Sequence, residues 1–187
     1  MTSKDISLDS EELLALASLD IEHGNIENAL LKLKQVLAGK TPPNEANAMA
    51  ARLYAQLGLF QRAKGLFQVY VNGNPDAIVE NFQLGMAHFD AGEITEALSI
   101  WSAVIKKDPV NPPALFYRGL ALAQLDKHSD AKESLNSLLK SAPADNLYFS
   151  RAKDLLTAMD AGQTAKNNDN GQNLVNSLVK DAYQVEH

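Results

Sequence analysis

The sequence predicts an all-α fold built from stacked helical hairpins, and three observations carry the prediction. Gly24, Gly58 and Gly92 stand 34 residues apart. Ala29, Ala63, Ala97 and Ala131 keep that interval three times, and Pro75, Pro109 and Pro143 keep it twice more. Between these markers, apolar residues recur at helical spacing. Three residue types holding one period without an insertion define a repeat array, with units at 10–43, 44–77, 78–111 and 112–145.

Each unit reads as two helices. The first unit carries Leu16-Ala17, Ala29 and Leu33, and the second carries Tyr54, Ala63, Phe67 and Pro75. In the third, Val79, Phe82, Met86 and Phe89 form one stripe, with Leu84, Gly85 and His88 beside it. Gly92 breaks that helix, since glycine turns tightly at little steric cost. Ile94, Ala97, Leu98, Trp101, Val104 and Ile105 then form the apolar face of a second helix, which Pro109 ends. The fourth unit keeps Gly119, Ala131, Leu135 and Pro143 but has Asp126 in the glycine position. The recurring alanine lets the two helices of a unit approach closely. A lone hairpin cannot bury its apolar face, so the units must stack.

A 34-residue helix–turn–helix with small residues at the helix crossing and Pro at its end resembles the tetratricopeptide repeat. Leu84-Gly85, Ala97 and Trp101 of the third unit fit that family best, and the likeness covers about residues 10–145. It implies a right-handed α-solenoid whose first helices line a concave, peptide-binding surface.

Outside the repeats, 1–9 reads as a tail and 146–159 as a capping helix, with Arg151, Lys153 and Asp154 suiting its polar outer face. Residues 160–172, polar and rich in Gly and Asn, read as a flexible linker. Residues 173–187 follow as an amphipathic helix with Leu174, Val175, Leu178, Val179, Ala182 and Tyr183 on one face. So short a helix is marginal alone in water, so it is expected to dock or fray.

Bulk properties narrow the function. The 187 residues carry a formal charge of −6 and no basic run, which argues against a nucleic-acid partner. With no cysteine there are no disulfides or thiolate metal sites. No secretory signal and no run of apolar residues long enough to span a membrane is visible, so a cytoplasmic location is expected.

The resemblance assigns inward-facing residues to each first helix. They are Glu11, Leu14, Ser18, Ile21 and Glu22 in the first unit and Glu45, Ala48, Arg52, Ala55 and Gln56 in the second. The third gives Val79, Phe82, Met86, Phe89 and Asp90, and the fourth Pro113, Phe116, Leu120, Ala123 and Gln124. Phe82, Met86, Phe89, Phe116 and Leu120 are therefore expected to form an exposed apolar patch rimmed by Glu45, Arg52 and Asp90, the mark of an interaction site. Burying about 300–400 Å² of it at about 25 cal/mol per Å² contributes about 8–10 kcal/mol, against association costs of similar size. Micromolar binding follows. The alternative for each Phe is ordinary core between repeats.

Family members that grip a C-terminal carboxylate do so with Lys, Arg and Asn. The matching places here hold Leu14, Ser18, Met49, Val79 and Gln83, so that clamp is absent. None of His23, His88, His128 and His187 has another His at helical spacing, so no helical metal pair exists. No nucleophile elbow or phosphate loop appears. No cofactor and no catalysis are expected. Arg118 occupies a place facing its own second helix where the family prefers Leu, and its expected solution is a packed stem with a solvated head. Asn47 and Asn81 replace bulky apolar residues and point to a locally polar seam.

The sequence therefore predicts an adaptor or small chaperone that takes an apolar or amphipathic protein segment in its groove. The alternative is self-assembly or self-occlusion, with Leu174, Val175, Leu178, Val179 and Tyr183 filling the groove in cis or in a neighbouring chain and making a homo-oligomer in the second case.

Overall fold

The structure, a computed structural model, describes residues 8–164. The expected C-terminal helix at 173–187 and most of the expected amino-terminal tail lie outside the described residues. Nine α-helices and no strand are present among those described. The chain divides into two compact units, Met1–Ala87 and His88–His187, with the junction inside one helix.

In the first unit α1 (Ser10–Glu22) pairs with α2 (Ile26–Leu37), and α3 (Asn44–Gln56) pairs with α4 (Phe60–Gly73). Helix α5 (Ile78–Asp90) begins here. A capping box starts α1: Asp9 Oδ1 accepts from the backbone N–H groups of Glu11 and Glu12, each at 2.9 Å, and Glu12 Oε2 accepts from Asp9 N–H at 2.8 Å. The expected polar seam is real at α3. Asn47 Nδ2 donates to Asn44 Oδ1 at 3.2 Å, and Asn44 Nδ2 donates to Tyr70 O at 3.0 Å, tying the start of α3 to the end of α4. Asn81 instead serves its own helix start, with Nδ2 donating to Pro75 O and Ala77 O.

In the second unit α6 (Ile94–Lys107) packs on α7 (Pro112–Gln124), α7 on α8 (His128–Ser141), and α9 (Leu147–Thr164) on both α7 and α8. Asn111 caps α7 by accepting from Ala114 N–H at 3.0 Å, and Pro112 follows in the first helical turn. Helix α9 continues to Thr164, through the first five residues of the stretch expected as linker.

The period seen in the sequence is a period in geometry. After α1, Asn25 N–H donates to Asp20 O and Gly24 N–H to Ile21 O, the two hydrogen bonds of a Schellman end. The same pair recurs at Leu59 and Gly58, at Glu93 and Gly92, and at Lys127 and Asp126. That end needs a left-handed residue, and Gly24, Gly58 and Gly92 have φ of 73°, 72° and 80°. Asp126 is forced to φ 57° in the fourth hairpin. Replacing Asp126 with Gly is expected to raise stability by about 0.5–1 kcal/mol, read as a shift in the denaturation midpoint.

The hairpin crossings are as tight as the small residues imply. Ala29, Ala63, Ala97 and Ala131 are all fully buried, and so are Leu33, Phe67, Trp101 and Leu135 four residues on. A Cβ on Gly119 would lie 2.8 Å from both Cγ and Cδ2 of Leu135. Gly119→Ala is therefore expected to cost about 1–3 kcal/mol despite its better helix propensity, measurable by urea denaturation.

Candidate protein-interaction surface

The inward positions of the first helices recur at the same 34-residue interval, so four side chains can be compared at each place. Ser18 and Arg52 are exposed, whereas Met86 and Leu120 at the matching positions are buried. Leu14 is half-buried, Ala48 and Phe82 are buried, and Phe116 is buried to 2% exposure. Ile21 and Ala55 are half-buried, and Phe89 and Ala123 are buried. The accessible inward positions thus concentrate on α1, α3 and the start of α5.

The exposed apolar patch expected from Phe82, Met86, Phe89, Phe116 and Leu120 is not observed, because all five side chains are buried. In the second unit the cause is a continuous aromatic core. Phe89 lies 5.5 Å from the Trp101 ring and 6.5 Å from Tyr117, edge-on to the latter. Trp101 and Tyr117 are 5.8 Å apart. Phe116 meets Tyr117 edge-on at 5.4 Å and the Tyr148 ring of α9 at 5.6 Å. Two of these pairs are edge-on, a favoured aromatic arrangement, and the other three are tilted. Helix α9 thus covers the α7 face that carries Phe116. The sequence offers a sign of this in Tyr148-Phe149, bulky residues in the phase of one more first helix.

Of the remaining expected site residues, Val79 and Arg52 are exposed. Arg52 is not a free cation. Its Nη2 pairs with Glu80 Oε1, linking α3 to α5 within the first unit. Arg52 and Glu80 lie 28 residues apart in successive repeats, a pairing that the 34-residue period does not itself specify. Three acidic residues, Glu11, Glu22 and Glu45, are exposed around this surface.

Arg118 departs from expectation. Its Nε donates to Ser102 Oγ at 3.3 Å, so it faces α6 of the preceding hairpin and not the second helix of its own. Ser102 in turn donates to Leu98 O at 2.7 Å. The side chain is half-buried. His88 is also half-buried, with Nδ1 2.7 Å from Glu93 Oε2 across the α5–α6 turn. Among the described residues no cluster of His, Asp and Glu is arranged to hold a metal ion, and no helix is long and apolar enough to cross a membrane.

Comparison with known proteins agrees with the repeat geometry. A sequence model of the tetratricopeptide repeat family matches residues 82–146. No curated protein sequence matches the chain. Several solved structures share the fold. A MamA structure from strain AMB-1 superposes with a TM-score of 0.68 at 18% identity, covering 72% of this chain and 79% of that one. MamA from Desulfovibrio magneticus RS-1 superposes with a TM-score of 0.69 at 16% identity, covering 95% and 97%. YrrB, a TPR protein with an unusual peptide-binding site, superposes with a TM-score of 0.68 at 16% identity, covering 92% and 86%. The family match places tetratricopeptide repeats over residues 82–146, and the same hairpin geometry recurs in the two units before them.

Proposed function

We propose that the chain is a protein-binding adaptor or small chaperone whose accessible groove lies on the inner side of α1, α3 and the start of α5. The observation that carries this reading is the gradient of exposure along equivalent positions: Ser18 and Arg52 are open where Leu120 is sealed. Leu14, Ile21 and Val79 supply apolar contacts, and Glu11, Glu22 and Glu45 an acidic rim. Such a surface suits an amphipathic segment with apolar anchors and Lys or Arg beside them. Because Glu80 already neutralises Arg52, an acidic segment gains little there. YrrB supports the reading as a protein of this fold with a peptide site.

A peptide-display selection on the full chain tests the proposal. Basic amphipathic peptides are expected, with affinity falling at least tenfold in a Leu14→Asp, Ile21→Asp variant that keeps its melting temperature. Selected peptides that bind this variant unchanged would place the surface elsewhere.

A second reading is favoured by the burial of Phe82, Met86, Phe89, Phe116 and Leu120. In it, Leu174, Val175, Leu178, Val179 and Tyr183 cover inner positions of the first helices in cis or from a neighbouring chain. Removing 173–187 is then expected to expose Met86 and Leu120 to solvent if the segment covers its own chain. Loss of oligomers on removal marks exchange between chains. Unchanged hydrodynamic size together with unchanged exposure rules this reading out.

A further inference from the structure

Helix α1 has a second accessible face. Leu16 and Leu19 are 37% and 49% exposed. At the matching positions of later repeats, Ala50, Leu84, Leu53, Ala87 and Ala121 are all buried. Glu12 is exposed as well, where Ala46 and Ala114 are fully buried. Two later first helices pack on the second helix of the preceding hairpin, α3 on α2 and α7 on α6. Arg118, one of the same set of positions as Leu16, reaches Ser102 of α6. Helix α1 therefore presents the face that later first helices give to a preceding second helix, and no described residue covers it.

The chemistry around this face is one-sided. Helix α1 contains no Lys or Arg, and Glu11, Glu12 and Glu22 are exposed along it. Asp20, which stands where Tyr54 and Leu122 are buried, is already held by Lys32 of α2. We propose that this end face docks an amphipathic helix of a partner protein, one with an apolar stripe for Leu16 and Leu19 and Lys or Arg on its flanks. The partner helix takes the place of a preceding second helix and extends the stack in trans.

Charge decides among the possible occupants. Two copies meeting through α1 would set acidic helices against each other. The segment 173–187 brings one Lys, Lys180, against Asp181 and Glu186, and offers no basic complement. The apolar residues of this face, Leu16 and Leu19, differ from those of the groove proposed above, Leu14 and Ile21, while Glu11 and Glu22 border both.

The test uses the full chain and a helix-stapled peptide with the sequence of α2, which packs on the equivalent face of α3 and carries Lys32 and Lys34. NMR titration is expected to perturb Glu12, Leu16 and Leu19. Leu19→Asp is expected to weaken binding at least tenfold, and a peptide with both Lys changed to Glu at least fivefold, while Ile21→Asp leaves it unchanged. Leu19 is exposed, so circular dichroism should show the variant folded. Absent binding, perturbation confined to Leu14 and Ile21, or unchanged affinity in Leu19→Asp overturns the proposal. So does self-association of the full chain that Leu19→Asp abolishes, which assigns the face to a second copy.

Discussion

Replacing Trp101 with Ala is expected to lower stability by about 3–5 kcal/mol, the range for truncating a large buried aromatic. Trp101 is fully buried and sits between the rings of Phe89 and Tyr117 at 5.5 and 5.8 Å. Because typical domains hold only about 5–15 kcal/mol in reserve, the loss should appear as a large drop in urea midpoint. A loss below about 1 kcal/mol would mean that the aromatic core is not packed as described.

Phe116→Asp is the second large effect. The ring is 2% exposed and meets Tyr117 edge-on and Tyr148 at a tilt. An aspartate there would bury a carboxylate among aromatic rings, at a cost of about 3–5 kcal/mol. The expected result is a variant that melts early or does not accumulate. Arg52→Ala offers the contrast, because its side chain is half-exposed and its pair with Glu80 is near the surface. That loss should stay within about 1 kcal/mol. Phe116→Asp therefore reports on folding and cannot serve as a probe of binding. Equal stability of the two variants, measured by thermal melting, would place Phe116 back on an open surface.

The repeat was legible because its markers answer steric demands that leave few alternatives. A left-handed turn selects glycine, and a close helix crossing selects alanine; both leave residue types at fixed intervals. Asp126 was visible as an exception for the same reason, and its positive φ follows from the hairpin around it. The inner wall was less legible. Phe82 and Phe116 read equally well as a groove or as core, since an apolar stripe records that a face is covered and not what covers it. The deciding residue for Phe116 is Tyr148, which lies 32 positions along the chain in another helix. Arg118 was misread for a related reason. Whether a first-helix position faces its own hairpin or the preceding one depends on a rotation that spacing alone does not resolve.

Solvent accessibility of assigned methyl groups tests the central claim most directly, and a soluble paramagnetic agent added to the full chain measures it. Strong broadening is expected at Val79, Leu16 and Leu19, intermediate broadening at Leu14 and Ile21, and little at Met86 and Leu120. Broadening at Met86 and Leu120 equal to that at Val79 would contradict inner positions buried in the later repeats and an accessible surface carried by α1, α3 and the start of α5.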